Sequence, residues 1–314
     1  MRTFIMQLMA GLICAGVSRA ASVLQEANKA YGDRDFSRAV VLYKKAVKGG
    51  ESPALCFYNA ANAYYQLDSL PQSIACYQAG IKAAPSFFKG RLNLAVVYYS
   101  LEDYGKCIAT VKEGLRIEPD NDKALLLLAA AYRNAGATAQ AVIAFEDLVA
   151  AYPAVEEPYI ALAELYRELG DPHQAILRLS GFPPSGKNAA YVSLLLADLN
   201  EETADYGKAL YHLQQAWNLD RKKWTCYRMA LMHEKLGNGL VAYELAREGM
   251  ALFPDFSDLA LAAGTLALNH GRYDEAEYCL SRAQQLGSPG AVVGLENIRN
   301  IRAEKDGGEG AGEP

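Results

Sequence analysis

Seven residues near the middle of the chain, Gly181-Phe182-Pro183-Pro184-Ser185-Gly186-Lys187, carry the glycine and lysine spacing of a loop that cradles nucleotide phosphates. Such a loop works through successive backbone N–H groups. Two of these residues are prolines, which have none, and Asn188 stands where a Ser or Thr hydroxyl would hold magnesium. No strand pattern precedes the segment, so it reads as a helix breaker. The histidines His173, His212, His233 and His270 are never three or four apart, and none sits beside a cysteine at zinc spacing. His233-Glu234 starts like a metalloprotease helix, and the second histidine is missing. Glu156-Glu157 and Glu201-Glu202 read as solvated surface, and the glycines of the tail lack the flanking strand and helix of a dinucleotide site. Catalysis has no residues to rest on. The chain reads as a non-enzyme without cofactor or metal.

Composition narrows the class further. The chain has 314 residues, 51% hydrophobic and 21% charged, enough apolar material for an extensive core. Its formal charge is −5, with both signs interspersed and no Lys/Arg block, which argues against nucleic acid. Residues 1–20 read as a signal peptide: Arg2 is the positive end, Thr3 to Val17 the apolar stretch, and Ser18-Arg19-Ala20 a small-x-small cleavage site. The apolar run is too short to span a bilayer comfortably. A lipoprotein cut before Cys14 is the rival, with Ile13 where a small residue is wanted. A membrane enters only if Cys14 is lipidated. Cleavage after Ala20 leaves Cys56, Cys76, Cys107, Cys226 and Cys279, an odd number with no C-x-x-C, so these read as small apolar core residues and not as a disulfide framework.

What remains is periodic. Pro85, Pro119 and Pro153 are 34 residues apart, and Pro254 lies 101 further on, one short of three more periods. One small-residue column holds Ala27, Ala61, Ala95, Ala129, Ala163, Ala197, Ala230 and Gly264. Twelve residues later a second holds Ala39, Ser73, Cys107, Ala141, Ala175, Ala209, Ala242 and Ala276. Larger residues form two more columns: Tyr64, Tyr98, Tyr132 and Tyr166, then Phe36, Leu70, Tyr104, Tyr206 and Tyr273. The pattern is that of a helical hairpin repeated along the chain. Small residues let paired antiparallel helices approach, aromatics fill the gap to the next hairpin, and proline ends the second helix.

The pattern resembles the tetratricopeptide repeat family. The second unit carries the likeness most clearly, in Tyr58-Asn59-Ala60-Ala61-Asn62-Ala63-Tyr64-Tyr65, Ser73-Ile74, Tyr77 and Pro85. Units fall at 20–53, 54–87, 88–121, 122–155, 156–189, 190–222, 223–256 and 257–290. The resemblance implies an all-α fold: a right-handed superhelical solenoid of about eight helix-turn-helix repeats with a C-terminal capping helix. It also implies that positions 2, 5, 6, 9, 12 and 13 of each first helix face a concave groove. Most of these positions share one face of a helix in any case. In this chain they are Asn28, Tyr31, Tyr58, Asn59, Asn62, Tyr65, Lys89, Leu92, Asn93, Val96, Tyr99, Lys123, Leu126 and Arg133 in the first four units. Glu157, Glu164, Glu168, Asp198, Glu201 and Glu202 then make an acidic middle, followed by Trp224 and Tyr227. Asparagine amides bond both groups of a peptide backbone, and tyrosines offer flat area with a polar tip. Some relatives grip a terminal carboxylate with a five-residue clamp. Asn28, Asn59 and Lys89 match three of its positions, with Leu24 and Asn93 in place of cations; Asn62, Asn93 and Lys123 match one repeat later, with Tyr58 and Leu126.

Two departures mark joints. The Gly181–Gly186 breaker must shorten the second helix of unit 5, and Asn200 replaces the column tyrosine in unit 6. These suggest an N-terminal portion at 21–189 and a C-terminal portion at 190–304. Ser288-Pro289 should start a capping helix with Val292, Leu295, Ile298 and Arg302 along one face, and 305–314 should be disordered. The reading is an exported bacterial envelope scaffold that binds a protein or peptide. A small-ligand accessory protein, recognisable by a deep apolar tunnel, is the alternative. The mature chain is expected to begin at Ala21. N-terminal sequencing of the exported form checks this, and a lipid-modified Cys14 would contradict it.

Overall fold

The computed structural model describes residues 22–182 and 186–309. The leader, Cys14 and the Ala20–Ala21 cut fall outside the described residues, as do Pro183, Pro184 and Ser185. Among the described residues the regular structure is helical throughout, without strands. The α-helices are α1 (Val23–Gly32), α2 (Phe36–Lys48), α3 (Pro53–Gln66), α4 (Leu70–Ala83), α5 (Phe88–Ser100), α6 (Tyr104–Leu115), α7 (Asp122–Asn134) and α8 (Thr138–Ala151). They continue as α9 (Glu157–Glu168), α10 (Pro172–Ser180), α11 (Ala189–Glu202), α12 (Tyr206–Leu219), α13 (Lys223–Lys235), α14 (Gly239–Leu252), α15 (Ser257–Asn269), α16 (Tyr273–Gln285) and α17 (Gly290–Glu309). No described helix is long and apolar enough to cross a membrane.

The hairpins share one turn. Arg34, Asp68, Glu102, Gly136, Gly170, Ala204, Gly237 and Gly271 fall in one sequence column, and all have φ between 53° and 78°. The residue after each donates its N–H back across the helix end: Asp35 to Ala30, Ser69 to Tyr64, Asp103 to Tyr98 and Asp205 to Asn200. This bond closes a Schellman-type end and satisfies an orphan carbonyl. Asp35, Asp103, Asp171 and Asp205 then cap the following helix, their carboxylates accepting the N–H of the third helical residue. One residue thus ends the first helix and the next starts the second.

Both small-residue columns are buried throughout. The alanines from Ala27 to Ala230 and every member from Ala39 to Ala276 have zero exposure. At Gly264 even a methyl group would meet Leu280 Cγ at 2.6 Å. Ser73 keeps its hydroxyl satisfied by donating to the Ala61 carbonyl at 2.9 Å across the crossing. The five cysteines Cys56, Cys76, Cys107, Cys226 and Cys279 are free and buried, as their positions in the helices suggested. Burial pushes the thiols of Cys107, Cys226 and Cys279 up to about 11, which keeps them protonated and inert.

The chain divides into two compact units, the first ending at Pro158 and the second beginning at Tyr159. In the first, each helix from α1 to α8 packs on the next; in the second, the same holds from α10 to α17. The division comes one repeat before the 189/190 boundary read from the sequence. Helix α10 is short, as the breaker required, with Gly181 as its cap. It nevertheless packs on α11 across the breaker, so the second unit continues through it.

The cap differs from expectation in one residue. Ala291, Leu295 and Ile298 are buried against α15 and α16, whereas Val292 is 41% exposed. The sealed face runs i, i+4, i+7 from Ala291, and Val292 is a 100° step off it. Arg302 anchors the far end at 2.8 Å from both Asp274 and Glu277. Helix α17 reaches Glu309, so residues 305–309 are helical where the sequence suggested a disordered tail; 310–314 lie outside the described residues.

Four of the turn residues are not glycine, and an L side chain in this region costs roughly 1 kcal/mol relative to glycine. Ala204→Gly should therefore raise stability by about 0.5–1 kcal/mol, and Gly170→Ala should lower it by a similar amount. Urea unfolding at constant m-value measures both.

Candidate functional site

The groove residues of the first four repeats, from Asn28 to Arg133, lie in the first unit, on the first helices of its hairpins: α1, α3, α5 and α7. Asn28 and Asn59 stand on α1 and α3, and Asn59 Nδ2 donates to Asn28 Oδ1 at 3.4 Å. The next pair repeats this one hairpin on: Asn93 Nδ2 donates to Asn62 Oδ1 at 3.0 Å and to the Tyr58 hydroxyl at 3.2 Å. Asn134 on α7 continues the series by donating to the Tyr99 hydroxyl. Partners are separated by 31 or 35 residues. These are the repeat of 34 shifted by −3 or +1, and Asn93 uses both, reaching two neighbours one helical turn apart. The asparagines read from the sequence as open hydrogen-bonding groups are thus already joined in rungs between consecutive repeats.

Second helices support the rungs from behind. Tyr43 on α2 donates its hydroxyl to Asn28 Oδ1 at 2.8 Å, and Tyr77 on α4 donates to Asn62 Oδ1. Both rings are buried, and burial raises the Tyr43 hydroxyl to about 12 and that of Tyr77 likewise upward, so both remain protonated donors. The sequence assigns these tyrosines no part in the groove, because they lie on second helices, and Tyr77 stands out there only as part of the repeat pattern.

Tyr31, Asn62, Tyr65, Gln66, Asn93 and Val96 line a cleft of about 210 Å³ floored by Tyr77 and Val97. Tyr58 sits beside it, edge-on to Phe87 with ring centroids 5.3 Å apart and tilted against Tyr77 at 6.0 Å. Tyr99 packs edge-on against Tyr104 at 5.5 Å. Lys89 and Lys123 are exposed, and Arg133 is half-buried. No carboxylate occupies any of the inner positions in the first four repeats, although the whole chain is acidic. Leu24, in a clamp position, packs on the core instead.

The second unit uses charges where the first uses amides. Arg167 lies against Glu202 and 3.7 Å from Asp198; Arg228 lies 2.6 Å from Asp198 and also bonds Glu201. Tyr191 donates to Glu164. Asp198, Glu201 and Glu202 of the acidic middle expected from the sequence are therefore paired with cations. Arg167 and Arg228 occupy inward positions themselves, and the sequence reading counted only the carboxylates. Beyond them Trp224 is 55% exposed and stacks edge-on with Phe256 at 4.6 Å, with Tyr227 alongside. Among the described residues no group of His, Cys, Asp and Glu is placed to hold a metal ion.

Residues 58–106 and 92–156 match a family model described as tetratricopeptide repeat. A tetratricopeptide repeat protein from Parabacteroides merdae has a similar structure, with a TM-score of 0.50 and 14% identity over 79% of this chain and 99% of that one. A crystal structure of MamA aligns over 51% of this chain and 94% of that one at 22% identity, with a TM-score of 0.45. At these identities the likeness concerns the fold. No curated protein sequence matches the chain.

The Arg228 side chain is 24% exposed and faces two carboxylates, so its removal leaves both poorly solvated and adjacent. Arg228→Gln should cost about 1–3 kcal/mol, between the values for exposed and buried pairs. Arg247→Gln removes an exposed pair with Glu244 and should cost less than about 0.5 kcal/mol. Thermal unfolding of both variants at two salt concentrations measures the contrast.

Proposed function

Because the chain belongs to the tetratricopeptide repeat family, we propose that it is a non-catalytic adaptor that holds a peptide or protein partner against the first helices of its N-terminal unit. One observation carries this reading. The face formed by α1, α3, α5 and α7 concentrates tyrosines, amides and three cations, with no carboxylate at its inner positions. Binding energy usually resides in a few aromatic, amide and arginine anchors, and that combination is concentrated here. The cleft between Tyr31, Tyr65 and Val96 would take a side chain, and the amides beside it would take backbone groups.

The setting follows from residues 1–20. Their leader-like pattern supports export, and a bacterial cell envelope is the compartment we propose. Five buried, unpaired thiols suit either side of a membrane, because none is placed to be oxidised readily. The partner would then be another envelope protein or an exposed segment of one.

Affinity purification from an envelope extract, followed by mass spectrometry, identifies the partner. With it in hand, Asn62→Ala should weaken binding by roughly 1–3 kcal/mol, because it removes a rung and leaves a partner group buried without a bond. Lys89→Ala should weaken binding less and flatten its dependence on salt. Titration calorimetry at two ionic strengths separates the two effects. Unchanged affinity for a folded Asn59→Ala/Asn62→Ala variant would move the partner to another surface.

A further inference from the structure

No segment of the sequence is a basic block, yet the fold gathers cations from three hairpins. Helices α2, α4 and α6 carry seven cations and one carboxylate, Glu113, in a chain whose net charge is −5. Four of the seven are on α2: Arg38, Lys44, Lys45 and Lys48. Lys82 and Arg116 follow Lys48 at intervals of 34, and Lys106 and Lys112 stand two repeats after Arg38 and Lys44. All of these are exposed. The buried side of α2 is Ala39, Val40, Tyr43 and Ala46. Arg38, Val41, Lys45 and Lys48, spaced i, i+3, i+7 and i+10, form its opposite side. Lys44 and Lys112 lie at the seams between hairpins, 5.1 Å and 5.4 Å from the ring centroids of Tyr64 and Tyr132 on the next first helices. Gln78 holds the same place by donating to the Tyr98 hydroxyl at 3.3 Å. The repeat thus makes one basic surface on the outside of the first three hairpins, behind the asparagine rungs.

These charges are not spent inside the molecule. Of the seven, Lys106 alone pairs with a carboxylate among the described residues, that of Asp103. In the second unit, by contrast, Arg167, Arg228, Arg272 and Arg302 are each paired. The helix dipole favours cations in a last turn, which accounts for Lys48 and Lys82. Arg38 stands in the first turn of α2, where the dipole disfavours it. Unpaired like charges repel one another in the free protein, and an anionic surface removes that repulsion. The apolar line between them decides which kind of surface. Val41, Ala75 and Ala109, 34 residues apart, are exposed at the middle of this face, Val41 by 65%. The phosphates of a nucleic acid offer such side chains nothing, whereas the acyl boundary of a bilayer takes them up. Six of the seven cations are lysines, point charges suited to a diffuse anionic field, where arginine forks would suit single phosphates. Helix α8 has Glu146 and Asp147 and no cation, so the basic surface ends at the third hairpin.

We propose that the outer face of α2, α4 and α6 binds the surface of an anionic phospholipid bilayer, with its lysines among the headgroups and Val41 at the acyl boundary. The contact needs no lipid on Cys14. It leaves the first helices, on the other side of the hairpins, open to a partner, so it stands or falls independently of the groove.

Cosedimentation of the exported form with vesicles tests this, using phosphatidylcholine alone and phosphatidylcholine with about one-third phosphatidylglycerol. Binding to the anionic vesicles should exceed binding to the neutral ones by about tenfold or more, and should fall steeply as salt rises. Lys45→Glu/Lys82→Glu reverses two charges on neighbouring helices of the face and should weaken binding about tenfold. Lys29→Glu/Lys235→Glu makes the same change of net charge at exposed sites away from it and should weaken binding by less than about twofold. Val41→Ser should weaken binding about threefold or more and leave the salt dependence unchanged. Circular dichroism checks that each variant is folded. No preference for anionic vesicles, or equal losses in the two charge-reversed variants, overturns the proposal. A mixed-sequence DNA duplex that binds as tightly as the vesicles, with no effect of Val41→Ser on either, overturns it in favour of a general polyanion site. Salt-insensitive binding to both kinds of vesicle overturns it in favour of a lipid anchor.

Discussion

Two positions per hairpin can hold nothing much larger than a methyl group, and the rest of the architecture depends on that limit. Where the helices of a hairpin cross, the first column is alanine or glycine and the second is alanine, serine or cysteine, all without exposure. Close crossing brings the backbones near enough for Ser73 to reach the Ala61 carbonyl. It also fixes the height of each second helix against its first. A bulkier residue at one crossing would separate the helices, and the interiors of proteins tolerate such overpacking poorly. Every longer-range feature assumes that this spacing is kept, including the reach of Tyr43 to Asn28 and of Tyr77 to Asn62.

The same register produces two different ladders. Between first helices, the amide rungs and the Arg167 pairs join residues 31 or 35 apart, because consecutive hairpins repeat every 34 residues with an offset of about one turn, whereas Arg228 reaches Glu201 27 residues earlier. In the first unit the meeting residues are amides and phenols; in the second they are arginines and carboxylates. Neutral rungs are insensitive to salt, whereas ion pairs weaken as salt rises. The backbone therefore supplies one geometry, and side-chain choice gives each unit its own electrostatic character.

Much of this was legible in the sequence. The alanine columns, the 34-residue period and the polar turns located the hairpins, because packing at a crossing and chain reversal are local demands that recur. The breaker at Gly181 correctly shortened α10. The rungs were not legible, since Asn59 and Asn28 meet only once the offset between neighbouring hairpins is known. The same applies to Arg167 and Arg228: each looks like an isolated cation until the register sets it against Asp198. Val292 was misplaced because a one-residue change of helix phase separates a sealed face from an exposed one, and the apolar letters of Val292 and Ala291 do not distinguish the two.

The rungs also bear on how fast and how tightly a face of this kind can be engaged. Fixing a free polar side chain on association costs roughly 0.5–1.5 kcal/mol. Asn28, Asn62 and Asn93 are held by two hydrogen bonds each before anything arrives. Their loss of rotational freedom belongs to folding of the hairpins and is not repeated at the encounter. An incoming chain meets a template already set, and the disorder lost on association is mainly its own.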